Sequence, residues 1–150
     1  MATLPPDPVL TQFIKPTLDT PFHIDDGWWE RKGLDRNIEL LSHLCVEHRA
    51  TYSGGQWLGE TIDWVDWATG EVRQVEGLQY IISTHCSKQP GYVEQAPTLV
   101  EAIFRVFLSN GNEPLTPRQL AVLVGYPPKQ ILRILSGRQV KKGLRPVRQS

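Results

Sequence analysis

The chain has 150 residues, 40% of them apolar, enough for one domain or two small ones with a real core. No stretch approaches the roughly 18 apolar residues of a membrane span, and the start, MATLPPDPVL, has no basic region followed by an apolar run, so neither a membrane protein nor an exported one is expected. Net charge is zero only in sum: residues 1–113 hold 16 acids and 8 bases, whereas residues 114–150 hold 8 bases and no acid.

Taken in chain order, residues 1–22 form an extended arm, because prolines 5, 6, 8, 16 and 21 block helix and remove donors. An acidic, tryptophan-rich body over residues 23–97 follows. Trp28 and Trp29 are adjacent and read as anchors onto a core. Asp35 to His48 reads as one helix, capped by Asp35, with Ile38, Leu41, Leu44 and Cys45 on one stripe. After the glycine-rich turn that begins at Tyr52, GETIDWVDWATGEVRQVEG reads as a hairpin turning at Ala68-Thr-Gly70. Gly77 to Cys86 reads as a short helix with Leu78, Ile81 and Ile82 inward, and SKQPGYVEQAP as a loop that marks a boundary.

Residues 98–150 carry the clearest local signals. Thr98-x-x-Glu101 and Thr116-x-x-Gln119 are capping boxes, the second with Pro117 at the first helical position. The first helix buries Leu99, Val100, Ile103, Phe104, Phe107 and Leu108 and stops at Asn110-Gly111. In the second, Leu120, Ala121, Leu123 and Val124 form the inward face, and Gly125 supplies a left-handed end. Pro127-Pro128 opens a third helix with Ile131, Leu132 and Leu135 inward, ended by Gly137. Two very short strands around Lys142-Gly143 are expected to close the segment.

The phrase NGNEPLTPRQLAVLVGYPPKQILRIL, in the order helix–helix–helix–basic hairpin, resembles winged-helix DNA-binding domains of bacterial transcription regulators over residues 98–148. The resemblance implies a third helix in the major groove of duplex DNA with a wing beside it, although the wing here is short. The residues also argue for themselves. Lys129 and Arg133 are four apart and share a face with Gln130 beside them, opposite the apolar stripe. Lysine and arginine suit phosphate oxygens, arginine grips guanine and glutamine pairs with adenine. Arg138, Lys141, Lys142, Arg145 and Arg148 are expected to flank the duplex backbone, and Arg118 to belong to the same nucleic-acid surface. The alternative is a protein-interaction adaptor whose winged helix contacts protein rather than nucleic acid.

The body also carries SHLCVEH and STHCSK. Cys45 and His48 are three apart, hence on one helical face, and His85 with Cys86 returns on another element. Two sulfurs and two imidazoles suit tetrahedral zinc in a closed, structural site. Two buried free thiols or a redox pair are the competing readings, and His43 competes for the fourth position if the helix frays by Leu44. Asp25, Asp26, Asp63 and Asp66 read as solvent-facing carboxylates, and no phosphate loop, dinucleotide fingerprint or nucleophile elbow is present. The expectation is therefore an α+β, cytoplasmic, non-enzymatic protein: a helix-plus-hairpin body followed by a basic winged helix-turn-helix. It would bind double-stranded DNA in transcriptional regulation, with the body available to a second copy or a protein partner.

Overall fold

The computed structural model describes residues 15–52, 61–65 and 68–147. The proline-rich stretch before Lys15, the glycine-rich turn after Tyr52, Asp66 and Arg148 lie outside the described residues. In chain order the elements are β1 (Phe22–Ile24), α1 (Asp26–Arg31), α2 (Arg36–Leu41), α3 (Val46–Tyr52), β2 (Thr61–Val65), β3 (Val72–Glu76) and α4 (Gly77–Thr84). A 3-10 turn (Cys86–Lys88), α5 (Leu99–Ser109), α6 (Pro117–Val124), α7 (Pro128–Leu135) and β4 (Leu144–Pro146) follow. The class is α+β, as expected. No described helix is long and apolar enough to cross a membrane.

Helix α5 is the post around which the rest is arranged. Every residue from Ala102 to Leu108 is buried, so the helix is covered on all sides rather than along one stripe. Helix α4 and the 3-10 turn pack against it, as do α6 and β1. The buried side chains form one cluster drawing on Phe22, Trp29, Leu40, Ile82, Phe104 and Leu144 alike, from both sides of Pro97-Thr98. Thr98 caps α5 through its hydroxyl, which accepts from the Glu101 amide at 3.2 Å. The Glu101 carboxylate reaches the same hydroxyl at 3.4 Å, so this box is half formed. At α6 the box is complete: Thr116 Oγ1 accepts from the Gln119 amide and Gln119 Oε1 accepts from the Thr116 amide. The hairpin is also present, with Ile62 opposite Val75 and Val65 opposite Val72, and Trp29 is buried as an anchor against Phe104.

Three local expectations need correction. Asp35 to His48 is not one helix: α2 ends at Leu41 and α3 begins at Val46. The intervening turn uses i to i−3 bonds from the Ser42, His43 and Leu44 amides, and donors elsewhere take the carbonyls it frees. Arg49 reaches Ser42 O and Leu44 O, Arg105 reaches Ser42 O, and Tyr92 Oη donates to His43 O at 2.7 Å. The break re-phases the stripe, so Leu40 is buried while Ile38 is 59% exposed. Leu123, expected inward, is half exposed, and the buried residues of α6 are Pro117 and Leu120.

The third correction concerns the tail. Among the described residues one strand forms there, and its partner is β1, with Phe22 opposite Pro146 and Ile24 opposite Leu144. Residues 22–24 contribute Phe22 and Ile24 to the core, a burial that residues 138–141, with Val140 as their one apolar side chain, could not match. The other edge of β1 is met by Leu115, through reciprocal backbone bonds with Phe22. Asn112 acts as a further surrogate strand residue: its amide accepts from Ile24 N and donates to Ile24 O. The turn before β4 is pressed inward. A Cβ at Gly143 would sit 2.9 Å from Trp29 Nε1 and 3.0 Å from Asp25 O, and φ there is +76°, a conformation that suits glycine.

Candidate metal centre and basic surface

Two short irregular segments build the centre. Cys45 lies in the break between α2 and α3, immediately before α3, and His48 is one turn into that helix. His85 and Cys86 lie where α4 gives way to the 3-10 turn. Neighbouring residues converge on one point only where the backbone bends, and His85 (φ −128°, ψ −62°) supplies that bend. The four candidate ligand atoms all lie within 4.8 Å of one another. Cys45 Sγ is 3.2 Å from His48 Nδ1 and 3.7 Å from His85 Nδ1, and Cys86 Sγ is 3.7 Å from His48 Nδ1. Sulfur and nitrogen bound tetrahedrally at zinc distances would be about 3.6 Å apart. The donor set and its spacing therefore fit a metal ion held through both sulfurs and both Nδ1 atoms, and all four predicted residues are brought together.

Electrostatics set what such an ion would have to overcome. Burial, with the Cys45 thiol alongside, pushes the Cys86 thiol up to about 11. Two adjacent thiolates are thus unfavourable in the protein by itself, and a divalent cation is the species that would reverse this. The outer nitrogen of His85 faces the Gln89 amide at 3.4 Å. A metal on Nδ1 fixes the proton on Nε2, and the Gln89 oxygen, turned toward it, would accept that proton as an outer-shell partner.

His43 is not a ligand. It is fully buried and both ring nitrogens are occupied. Arg105 Nε donates to Nδ1 at 3.0 Å, and Nε2 meets Glu39 Oε1 at 3.0 Å. Because a guanidinium only donates, Nδ1 is the acceptor and the ring proton sits on Nε2, directed at Glu39. Arg105, itself buried, also donates to Tyr92 O at 2.8 Å, and Lys142 Nζ donates to Glu39. This chain of polar groups clamps the segment carrying Cys45 onto α5. Sequence reasoning missed it, although Arg105 stands as the lone charge in the run Ile103-Phe-Arg-Val-Phe-Leu108, and a buried charge requires partners.

The hydrogen bond from His43, with Lys142 alongside, holds the Glu39 carboxyl at about 2 against the opposing effect of burial. A depressed carboxylate contributes stability that is complete above its unfolded value, near 4.5, and is lost as pH falls toward 2. Glu39→Gln is expected to lower stability at neutral pH by on the order of 3 kcal/mol and to flatten the stability profile between pH 5 and about 2. Urea unfolding of both proteins across that window checks this, and parallel profiles would contradict it.

The eight described residues expected on the basic surface divide into two groups. Lys129, Gln130 and Arg133 are exposed on α7, whose Ile131 and Leu135 are buried on the opposite side. Arg138 and Lys141 are exposed just beyond it. Among the described residues no carboxylate forms an ion pair with Lys129, Arg133, Arg138 or Lys141. The other three cations fold back on the protein's own acids: Arg118 on Asp19 at 2.9 Å, Arg145 on Asp25 at 3.3 Å, and Lys142 on Glu39. Lys142 and Arg145 are also only about a quarter to a third exposed (25% and 30%), so they are tied to the body rather than presented outward. Comparison with protein-family models, curated proteins and solved structures gives no match, so these two sites stand on their own chemistry.

Proposed function

We propose that this protein binds double-stranded DNA through α7, on a C-terminal winged helix-turn-helix formed by α5, α6, α7 and β4, and that a structural zinc ion staples the body behind it. The observation that carries the reading is the sidedness of α7. Ile131 and Leu135 are buried and Leu132, expected inward, is partly so, while Lys129, Gln130 and Arg133 are exposed with no carboxylate partner among the described residues. Those are residue types that read base edges and phosphates. Arg138 and Lys141 would meet the flanking backbone. The wing differs from the family pattern. Lys142 and Gly143 are held against Glu39 and Trp29, so minor-groove reading by the wing is not part of the proposal. For the metal, two cysteines and two histidines complete a tetrahedron and leave no position for a reactive water, which makes the ion structural. Transcriptional regulation is the role such a protein would serve.

The experiment is a gel shift with Arg133→Ala and Lys129→Ala against wild type and Lys142→Ala. Each α7 variant is expected to weaken binding by roughly 5- to 100-fold, as for loss of a base or phosphate contact, with the melting temperature near wild type. Lys142→Ala is expected to do the reverse. Equal binding by wild type and both α7 variants overturns the reading. The adaptor alternative has one observation of its own: Val122, Leu123 and Tyr126, on α6 and the turn before α7, are exposed apolar side chains. It predicts a protein that ignores duplex DNA at low salt yet retains a protein partner in pull-down. Leu34 and Ile38, both exposed, would serve a second copy or a partner of the body.

A further inference from the structure

The two cysteines of the metal centre differ in access. Cys86 is fully buried, whereas Cys45 is half-buried and lines an open groove of about 710 Å³ together with Val46, Gln89, Pro90 and Tyr92. Both are free thiols, their sulfurs lie within 4.8 Å, and each is carried by an irregular segment rather than the middle of a helix. A disulfide requires the sulfurs to close to about 2.05 Å, a movement that falls to the 85–88 turn, since the 42–45 break is clamped to α5.

From this placement we propose that the metal centre is a peroxide-sensitive thiol switch, in which Cys45 is oxidised first and Cys86 resolves it to a disulfide with release of the metal. The proposal rests on the metal reading above. In the first step the Cys45 thiolate attacks one oxygen of a hydroperoxide. The O–O bond breaks, and the departing oxygen takes a proton and leaves as water or alcohol, giving a sulfenic acid. In the second step the Cys86 thiolate attacks the Cys45 sulfur, the S–O bond breaks, and hydroxide leaves with a proton as water. Two electrons pass from the two sulfurs to the peroxide. The disulfide sulfurs are neutral, so the centre keeps only two imidazoles and the cation departs. Burial of Cys86 protects it from direct attack and reserves it as the resolving thiol.

The test uses the full chain, loaded with zinc and assayed for metal content before any oxidant is added. Hydrogen peroxide at a few equivalents is expected to release about one zinc per chain, read with a colorimetric chelator, in step with a Cys45–Cys86 disulfide identified by peptide mass. A dithiol reductant with added zinc should restore the starting state. Brief alkylation of the partly oxidised sample should find Cys45 consumed ahead of Cys86. Zinc release without that disulfide, or retention of zinc and both thiols in excess peroxide, overturns the switch while leaving the metal reading intact. A chain that takes up no zinc at the outset overturns both.

Discussion

If the Cys45–His48–His85–Cys86 centre holds the zinc proposed for it, removing that zinc is expected to lower the melting temperature by roughly 10 °C. A ligand that binds only the folded chain stabilises it by about 4 kcal/mol when its free concentration is a thousandfold above its Kd, and each kcal/mol moves the melting point of a chain this size by about 2–4 °C. The loss should be less complete than in a small zinc finger, which has no core without its metal, because Phe104, Phe107, Ile82 and Leu40 help fill a core to which the centre contributes only Cys86, with Cys45 packed at its edge. The centre nevertheless ties α3 to the turn after α4, two segments otherwise joined by few contacts. Cys86→Ser should reproduce the chelator's effect and be insensitive to further chelation. Calorimetry with and without chelator checks this; identical melting curves for a demonstrably zinc-loaded and a zinc-free sample would contradict it.

Arg105→Met is expected to cost about 3–5 kcal/mol, comparable to breaking a buried charged network by removing one partner. Methionine fills similar space, so the loss is polar rather than steric. His43 Nδ1 and the Tyr92 carbonyl would each lose a donor inside the core, and an unsatisfied buried group costs about 1–3 kcal/mol. Glu39 and Lys142 would remain at the other end of a severed chain. Urea denaturation measures the effect. A double-mutant cycle with His43→Leu should recover part of it, since the two residues contact each other and their losses should not add. A single-mutant loss under about 1 kcal/mol would mean that the network is not what clamps Cys45 to α5.

These two predictions draw on parts of the molecule that were unequally legible in the sequence. The α5–α6–α7 unit is written in local signals: Thr116 and Gln119 close a box across three residues, Gly125 ends α6 in the left-handed region, and Pro128 opens α7. The candidate metal ligands were legible because a Cys-x-x-His pair and an adjacent His-Cys pair are chemically unusual, although only the bend at His85 shows that neighbours can converge. The break at residues 42–45 was not legible, since it depends on Arg49, Tyr92 and Arg105 reaching carbonyls that an unbroken helix would have satisfied itself. Pairing of β4 with β1 joins opposite ends of the chain, and no local pattern encodes such a partner. The same holds for the inward turn at Lys142-Gly143, where a basic dipeptide that looks like an exposed wing is held by Glu39 and pressed against Trp29. Charge composition marked the tail as basic; only the fold separates cations that face outward from those spent on the protein's own acids.

That separation makes the proposed function measurable. If Lys129, Arg133, Arg138 and Lys141 contact phosphates while Arg118, Arg145 and Lys142 stay on their carboxylates, four counterions are released per protein bound. Each contributes about −0.9 to the slope of log affinity against log salt. Fluorescence anisotropy of a labelled duplex, titrated with protein across a salt series, should then give a slope of roughly −3 to −4, reduced by about one in Lys129→Ala. Absence of binding at low salt, or a slope that Lys129→Ala and Arg133→Ala leave untouched, would contradict DNA recognition by this helix.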